Sequence, residues 1–192
     1  MKYQKYTFRY PNFTRLIKNN TDEAIFFDCD FSAVQNINLS GFKSVVFIGY
    51  NTIFRPQSKI EITNCKSIRF EKVTFQNEQS TLNITSAEFV TFDDVHSTYQ
   101  MKLKTHKCGT VAYNGSELNF DTSNMHTKKF EICASQIARI KTLDLTGITE
   151  EFLLHTSNVF GLKEMIINKG LKKYIDYVYG AREILEPITQ ER

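Results

Sequence analysis

Residues 60–75 read IEITNCKSIRFEKVTF, and residues 82–96 read LNITSAEFVTFDDVH. Ile60, Ile62, Cys65, Ile68, Phe70 and Val73 each have an apolar partner 22 positions later, in Leu82, Ile84, Ala87, Val90, Phe92 and Val95. Within each copy the apolar residues come as i, i+2 pairs, the period of a strand with one buried face. The pairs are short, and Asn114-Gly115 is the one tight-reversal signal among the links. A copy of this kind cannot bury its apolar face alone, whereas copies stacked on one another make a continuous core.

The pattern extends in both directions. Leu103, Cys108, Val111 and Tyr113 follow the second copy at a spacing of 21, and Ile37, Leu39, Phe42, Val45, Phe47 and Tyr50 precede the first at 23. NFDTSNMHTKK (residues 119–129) reads as an insertion, after which Phe130, Ile132, Ser135, Ala138, Ile140, Leu143 and Leu145 resume the repeat. Phe152, Leu154, Ser157, Phe160, Leu162, Met165 and Ile167 form a further copy, and AIFFDCDF (residues 24–31) a degenerate first one. The expected fold class is all-β: a single-domain parallel β-solenoid with rungs of 21–23 residues.

The rung length and the I-x-I, I-x-F and V-x-F triplets resemble the right-handed parallel β-helix superfamily, the fold of pectate lyases and phage tailspikes. The resemblance covers residues 24–168 and is one of architecture. CKSIRFEKVTF also fits a leucine-rich repeat template loosely, but Leu is scarce and Val73, Val95, Leu143 and Met165 stand where that template places Asn or Cys.

A stack of rungs has two open ends with unpaired strand edges. At the N-terminus, residues 1–23, Tyr6, Phe8 and Tyr10 alternate as in an edge strand, and Phe13, Leu16 and Ile17 are spaced as in a helix. At the C-terminus, residues 169–192, Leu171, Tyr174, Ile175 and Val178 form an i, i+3, i+4, i+7 stripe. Both segments are expected to be caps, the first a strand and helix, the second helical.

Composition narrows function only coarsely. The chain has 192 residues, 41% hydrophobic and 23% charged, with no Trp, 16 Phe and a net charge of +3. The N-terminal residues lack the apolar run of a signal peptide and no segment is long and apolar enough to span a bilayer, so a cytoplasmic location without membrane contact is expected. The four cysteines, Cys29, Cys65, Cys108 and Cys133, have no paired metal-ligand spacing and read as reduced thiols, with Cys65 and Cys108 as small core residues two rungs apart. No cofactor and no metal is expected.

Residues between two inward apolar ones face outward. The outer ladders then read Glu61, Asn83, Lys104, Glu131, Leu153; Phe47, Arg69, Thr91, Ala112, Arg139, Gly161; and Thr74, His96, Glu117, Asp144, Ile166. The resemblance implies, for the family's lyases, a calcium-binding acidic cluster with a catalytic Arg, and for its hydrolases several Asp on neighbouring rungs. Neither pattern matches here position by position, so no catalytic residue is assigned. Asp93, Asp94, His96 and Glu117 come nearest, as an acid–base pair or weak metal site, with a solvated corner as the plainer alternative.

Lys102, Lys104 and Lys107, with Lys128, Lys129 and Arg139 on the next copy, are the candidate partner-binding residues. They form a positive stripe suited to an acidic protein surface, or less well to nucleic acid. The expectation is a non-catalytic solenoid that binds, and could inhibit, a protein partner, for instance a host enzyme blocked by a virus- or mobile-element-encoded inhibitor. The alternatives are a carbohydrate-binding or carbohydrate-cleaving β-helix and a self-assembling scaffold.

Overall fold

The computed structural model describes residues 2–4, 12–17, 23–54, 57–75, 81–97, 99, 101–138, 140–155, 157–176 and 189–191. Every regular element among them is a strand, and every strand pairing is parallel. The strands coil into a β-solenoid of about six turns, consistent with a parallel β-helix, with rungs of about 22 residues. The leucine-rich alternative, which needs a helix or a different connection in each turn, does not fit.

The opening repeat stacks as its spacing requires. Strand Lys59–Glu71 lies beside strand Thr81–Asp93 with Ile60 opposite Leu82, Ile62 opposite Ile84, Cys65 opposite Ala87, Ile68 opposite Val90 and Phe70 opposite Phe92. Strand Met101–Asn114 continues the ladder, with Leu103 opposite Leu82 and Tyr113 opposite Phe92. Alternate residues point inward, and those named here are all buried.

One inner column is aromatic. Phe26, Phe47, Phe70, Phe92 and Tyr113 stack face to face, with centroids 4.5–5.1 Å apart and ring planes within 15°. The rung repeat of ~4.8 Å is close to the spacing of stacked rings, so parallel register alone sets the geometry. Phe31, Phe54 and Phe75 form a second column with centroids 5.2–5.3 Å apart.

Two columns of left-handed residues turn each rung. Asp28, Gly49, Lys72, Asp94, Gly115 and Ala134 hold positive φ at one corner, and each donates its N–H to the adjacent rung at 2.8–3.1 Å. Gly41, Asn64, Ser86 and Lys107 hold positive φ at the other. Asn and Asp enter this region with little strain, whereas Lys, Ser and Ala are held there by the ladder on either side. Gly49 holds φ at +105°, a conformation that strains any residue with a Cβ, so the corner requires glycine there.

Where the corner after the aromatic column turns inward, the core becomes polar. Thr52, Val73 and Val95 are followed by Ser116, Ser135 and Ser157, all buried. The Val95 N–H donates to Ser116 Oγ at 2.9 Å, the Ser116 N–H to Ser135 Oγ at 3.1 Å, and the Ser135 N–H to Ser157 Oγ at 3.2 Å. The three hydroxyls donate in turn to the carbonyls of Phe92, Tyr113 and Ile132. This ladder satisfies corner amides that would otherwise be buried without partners.

Several expectations need correction. Residues 119–129 are no insertion. Phe120–Asp121 pairs with Met101 and Lys102, and Met125–Cys133 continues the rung, because Thr127 Oγ1 holds the irregular bend by donating to the Gly109 carbonyl at 2.8 Å. Phe130 and Ile132 therefore lie opposite Val111 and Tyr113, not at the start of a copy. The outer ladders regroup accordingly. Glu131 stands between Ala112 and Leu153, Gln136 follows Glu117, and Asp144 pairs with Ile166 on another sheet. Tyr50 is 57% exposed, since Gly49–Asn51 loop outward and Thr52 takes the corner.

The helical spacings are also overruled. Asn12–Ile17 is a strand in which Phe13 opposes Ile37 and Leu16 opposes Leu39, so one residue is absorbed as an irregularity. Lys172–Asp176, which carries Tyr174 and Ile175, is a strand paired with Ile148–His155. The open backbone edge of the preceding rung offers a ladder of hydrogen bonds, and that outweighs a weak helical preference. Tyr6, Phe8, Tyr10, Val178 and Arg139 lie outside the described residues. Among the described residues, no helix is long and apolar enough to cross a membrane.

Two outcomes follow for stability. Phe70→Ala or Phe92→Ala should cost ~3–5 kcal/mol in urea unfolding, and Thr91→Ala, on the outer face between them, under ~1 kcal/mol; equal costs would refute the rung register. Burial also holds the Tyr113 phenol well above its ordinary range. The neutral form is thus favoured in the folded chain. Its contribution is complete below a pH of ~10, and is lost as pH rises toward the raised value because the unfolded chain ionises first. Tyr113→Phe should therefore flatten the fall in stability above that pH, measured by unfolding at stepped alkaline pH.

Candidate functional site

The corner that carries Asp93, Asp94 and His96 is a network of exposed polar groups. Asp93 closes the strand Thr81–Asp93 and points outward. It accepts hydrogen bonds from Arg69 Nε at 2.8 Å and from Asn114 Nδ2 at 2.8 Å, on the rungs to either side. Arg69 Nη2 also reaches Glu71 at 3.3 Å. Asp94 takes the left-handed corner position, and its carboxylate lies 3.3 Å from His96 Nε2 and accepts from the Tyr50 hydroxyl at 2.5 Å.

That hydrogen bond to Asp94 holds the Tyr50 phenol above its ordinary value. The sequence put Tyr50 in the core. The two extra residues in its corner loop were the available signal that it stands outside. Glu117 follows His96 on the next rung, with its N–H bonded to the Val95 carbonyl. Asp144, expected beyond it, lies on another sheet. Among the described residues, no three His, Cys, Asp or Glu side chains stand close enough to hold a metal ion. The arrangement ties neighbouring rungs together through surface ion pairs, each a small contribution.

A second feature is larger. The strands Lys59–Glu71, Thr81–Asp93 and Met101–Asn114 bend at Asn64, Ser86 and Lys107, and the two halves of each strand enclose a groove of about 1050 Å³. The groove crosses five successive rungs, from Asn64–Lys66 to Thr149–Glu150. Its floor follows the bend, where Cys65, Ala87, Cys108 and Thr127 fill the column beneath. All four are small, so the backbone of successive rungs lies close at the bend. A Cβ at Gly109 would stand 2.4 Å from the Glu88 carbonyl oxygen, which requires glycine at that point. Burial pushes the Cys65 and Cys108 thiols up, away from thiolate reactivity.

The charged groups along the walls are mostly paired, while most of the exposed lining surface is apolar. Lys66 reaches Glu88 at 3.5 Å, Lys128 reaches Glu150 at 3.2 Å, and Lys129 reaches Glu151 at 3.4 Å. His106 and His126 stand edge to face with ring centroids 6.4 Å apart. Phe89 adds a half-exposed phenyl ring beside Thr110.

Of the residues expected to form one positive stripe, Lys107, Lys128 and Lys129 line this groove. Lys102 and Lys104 lie on the half-strand before the bend, opposite Thr81 and Asn83, and so on the other arm of the same bent sheet. The sequence placed all of them along one flank because period-two alternation carries no sign of a bend; the left-handed Lys107 makes it.

The chain matches no protein-family model, no curated protein and no solved structure.

Asp94→Asn, which tolerates the same left-handed backbone, should bring the Tyr50 phenol down toward its ordinary range. The readout is the tyrosinate absorbance titration of Asp94→Asn compared with Tyr50→Phe in each background. An unchanged Tyr50 titration would mean that the Tyr50–Asp94 hydrogen bond does not form in solution.

Proposed function

We propose that this chain is a non-catalytic binding protein that engages a protein partner along the groove of its solenoid flank. One observation carries the reading: a groove of about 1050 Å³ runs across five rigid rungs and has Phe89 exposed within it. Exposed aromatic rings in a concave surface are among the groups enriched where proteins contact one another. The rungs are locked by parallel ladders and core stacks, so the surface is preformed and little ordering is required on binding.

The polar groups nearby support the same reading. The carboxylates of Glu88, Glu150, Asp93 and Glu71 are each held by a Lys or Arg, and Asp94 by Tyr50 and His96. Carboxylates engaged in this way are poor candidates for general acid–base work.

The test compares partners captured from the source cell by the unaltered chain, by Phe89→Asp and Thr149→Trp within the groove, and by Asn158→Lys on a different sheet. The groove variants should lose a partner that Asn158→Lys retains, with urea midpoints unchanged. Retention of every partner by Phe89→Asp and Thr149→Trp would place the binding face elsewhere.

A further inference from the structure

The groove's charge is unevenly balanced, and the imbalance sits at its centre. Four lysines (Lys66, Lys107, Lys128 and Lys129) line it, and three of them pair with Glu88, Glu150 and Glu151. The Lys66–Glu88 pair occupies one end and the Lys128–Glu150 pair the other. Lys107, on the middle rung, has no carboxylate within ion-pair distance among the described residues, and His106 and His126 stand beside it. Phe89 lies on the rung before Lys107, opposite Thr110 and so three residues past the bend.

We infer that the groove takes an extended acidic peptide segment, with a carboxylate seated at Lys107, His106 and His126 and an apolar side chain against Phe89. This rests on the groove being the partner-binding surface, and it names the chemistry of the partner. The five rungs span four steps of ~4.8 Å, about 19 Å, which an extended chain covers in about six residues at ~3.3 Å each. A carboxylate at the centre meets positive charge that, among the described residues, no carboxylate already neutralises. At either end it would have to displace Glu88 or Glu150.

The partner is therefore acidic at one position and apolar at a neighbouring one, not acidic throughout. A nucleic-acid strand matches less well, since phosphates repeated at every step would face Glu88 and Glu150 as well as the lysines.

The experiment measures binding of a fluorescein-labelled, end-blocked hexapeptide with one acidic residue beside one apolar residue, Ser-Ser-Phe-Glu-Ser-Ser, by anisotropy at two salt concentrations. A peptide with Lys in place of Glu and a single-stranded oligothymidylate are the comparison probes. The acidic peptide should bind saturably and more weakly at high salt, and the lysine peptide should not bind. Lys107→Glu should weaken it by about tenfold or more. Lys107→Asn, which suits the left-handed backbone, should weaken it less. Lys102→Glu, on the sheet's other arm beyond the bend, should leave it nearly unchanged.

Three results would overturn the inference: no saturable binding of the acidic peptide, equal losses for Lys107→Glu and Lys102→Glu, or tighter binding of the oligothymidylate at the same residues. A captured partner that Phe89→Asp abolishes but the acidic peptide does not displace would refute this inference and leave the groove reading standing. A partner retained by Phe89→Asp would refute the groove reading itself.

Discussion

Parallel in-register stacking of one rung on the next is the interaction on which everything else depends. A single rung is a closed strip of alternating residues with one apolar face and nothing to bury it. Its neighbour supplies both the backbone partners and the other half of every core contact. Because the ladder is parallel and the repeat close to 22 residues, like meets like: phenyl on phenyl along Phe47, Phe70 and Phe92, and small on small along Cys65, Ala87 and Cys108. Side-chain identity at a position is thus set by the rungs before and after it more than by its neighbours in sequence.

The stack also shows how such a core changes character along its axis without a gap. The aromatic column ends at Tyr113, whose ring meets Phe130 edge to face, and Ile132 and Leu154 succeed it in register. The lost ring reappears in the adjacent column, where Val90 and Val111 give way to Phe130 and Phe152. Large and small residues trade columns within one rung, so the volume enclosed by each turn is conserved, as a close-packed interior requires. Over the same rungs the corner changes from Val73 and Val95 to the serine ladder of Ser116, Ser135 and Ser157, which substitutes hydrogen bonds to corner amides for apolar contact.

The groove is a by-product of the same geometry. Bending every strand at one left-handed residue puts two arms of the sheet at an angle, and keeping the column beneath the bend small lets the backbones close up. The surface so formed is rigid because each bend is hydrogen-bonded to the next. Charges added to its walls pair across rungs at the lateral spacing of the ladder, Lys66 with Glu88 and Lys128 with Glu150. Among the described residues, this pairing leaves Lys107 without a carboxylate partner, and the ring of Phe89 stays half-exposed.

The repeat of apolar pairs was legible in the sequence, and with it the strand period, the rung length, the stacking of Phe70 on Phe92 and the parallel solenoid, because all of these follow from residue type and spacing along the chain. Past residue 119 the sequence misread the register, since Thr127 and the serines hold core positions through hydrogen bonds that hydropathy does not reveal. The helical spacings of Phe13 with Leu16 and of Tyr174 with Ile175 yielded to strand pairing, because a rung edge supplies backbone partners that an isolated helix cannot match. The tertiary structure alone decided where the strands bend, and therefore which cations share a surface. A left-handed Lys107 or Ser86 is imposed by the rungs on both sides of it, and no local preference of those residues announces it.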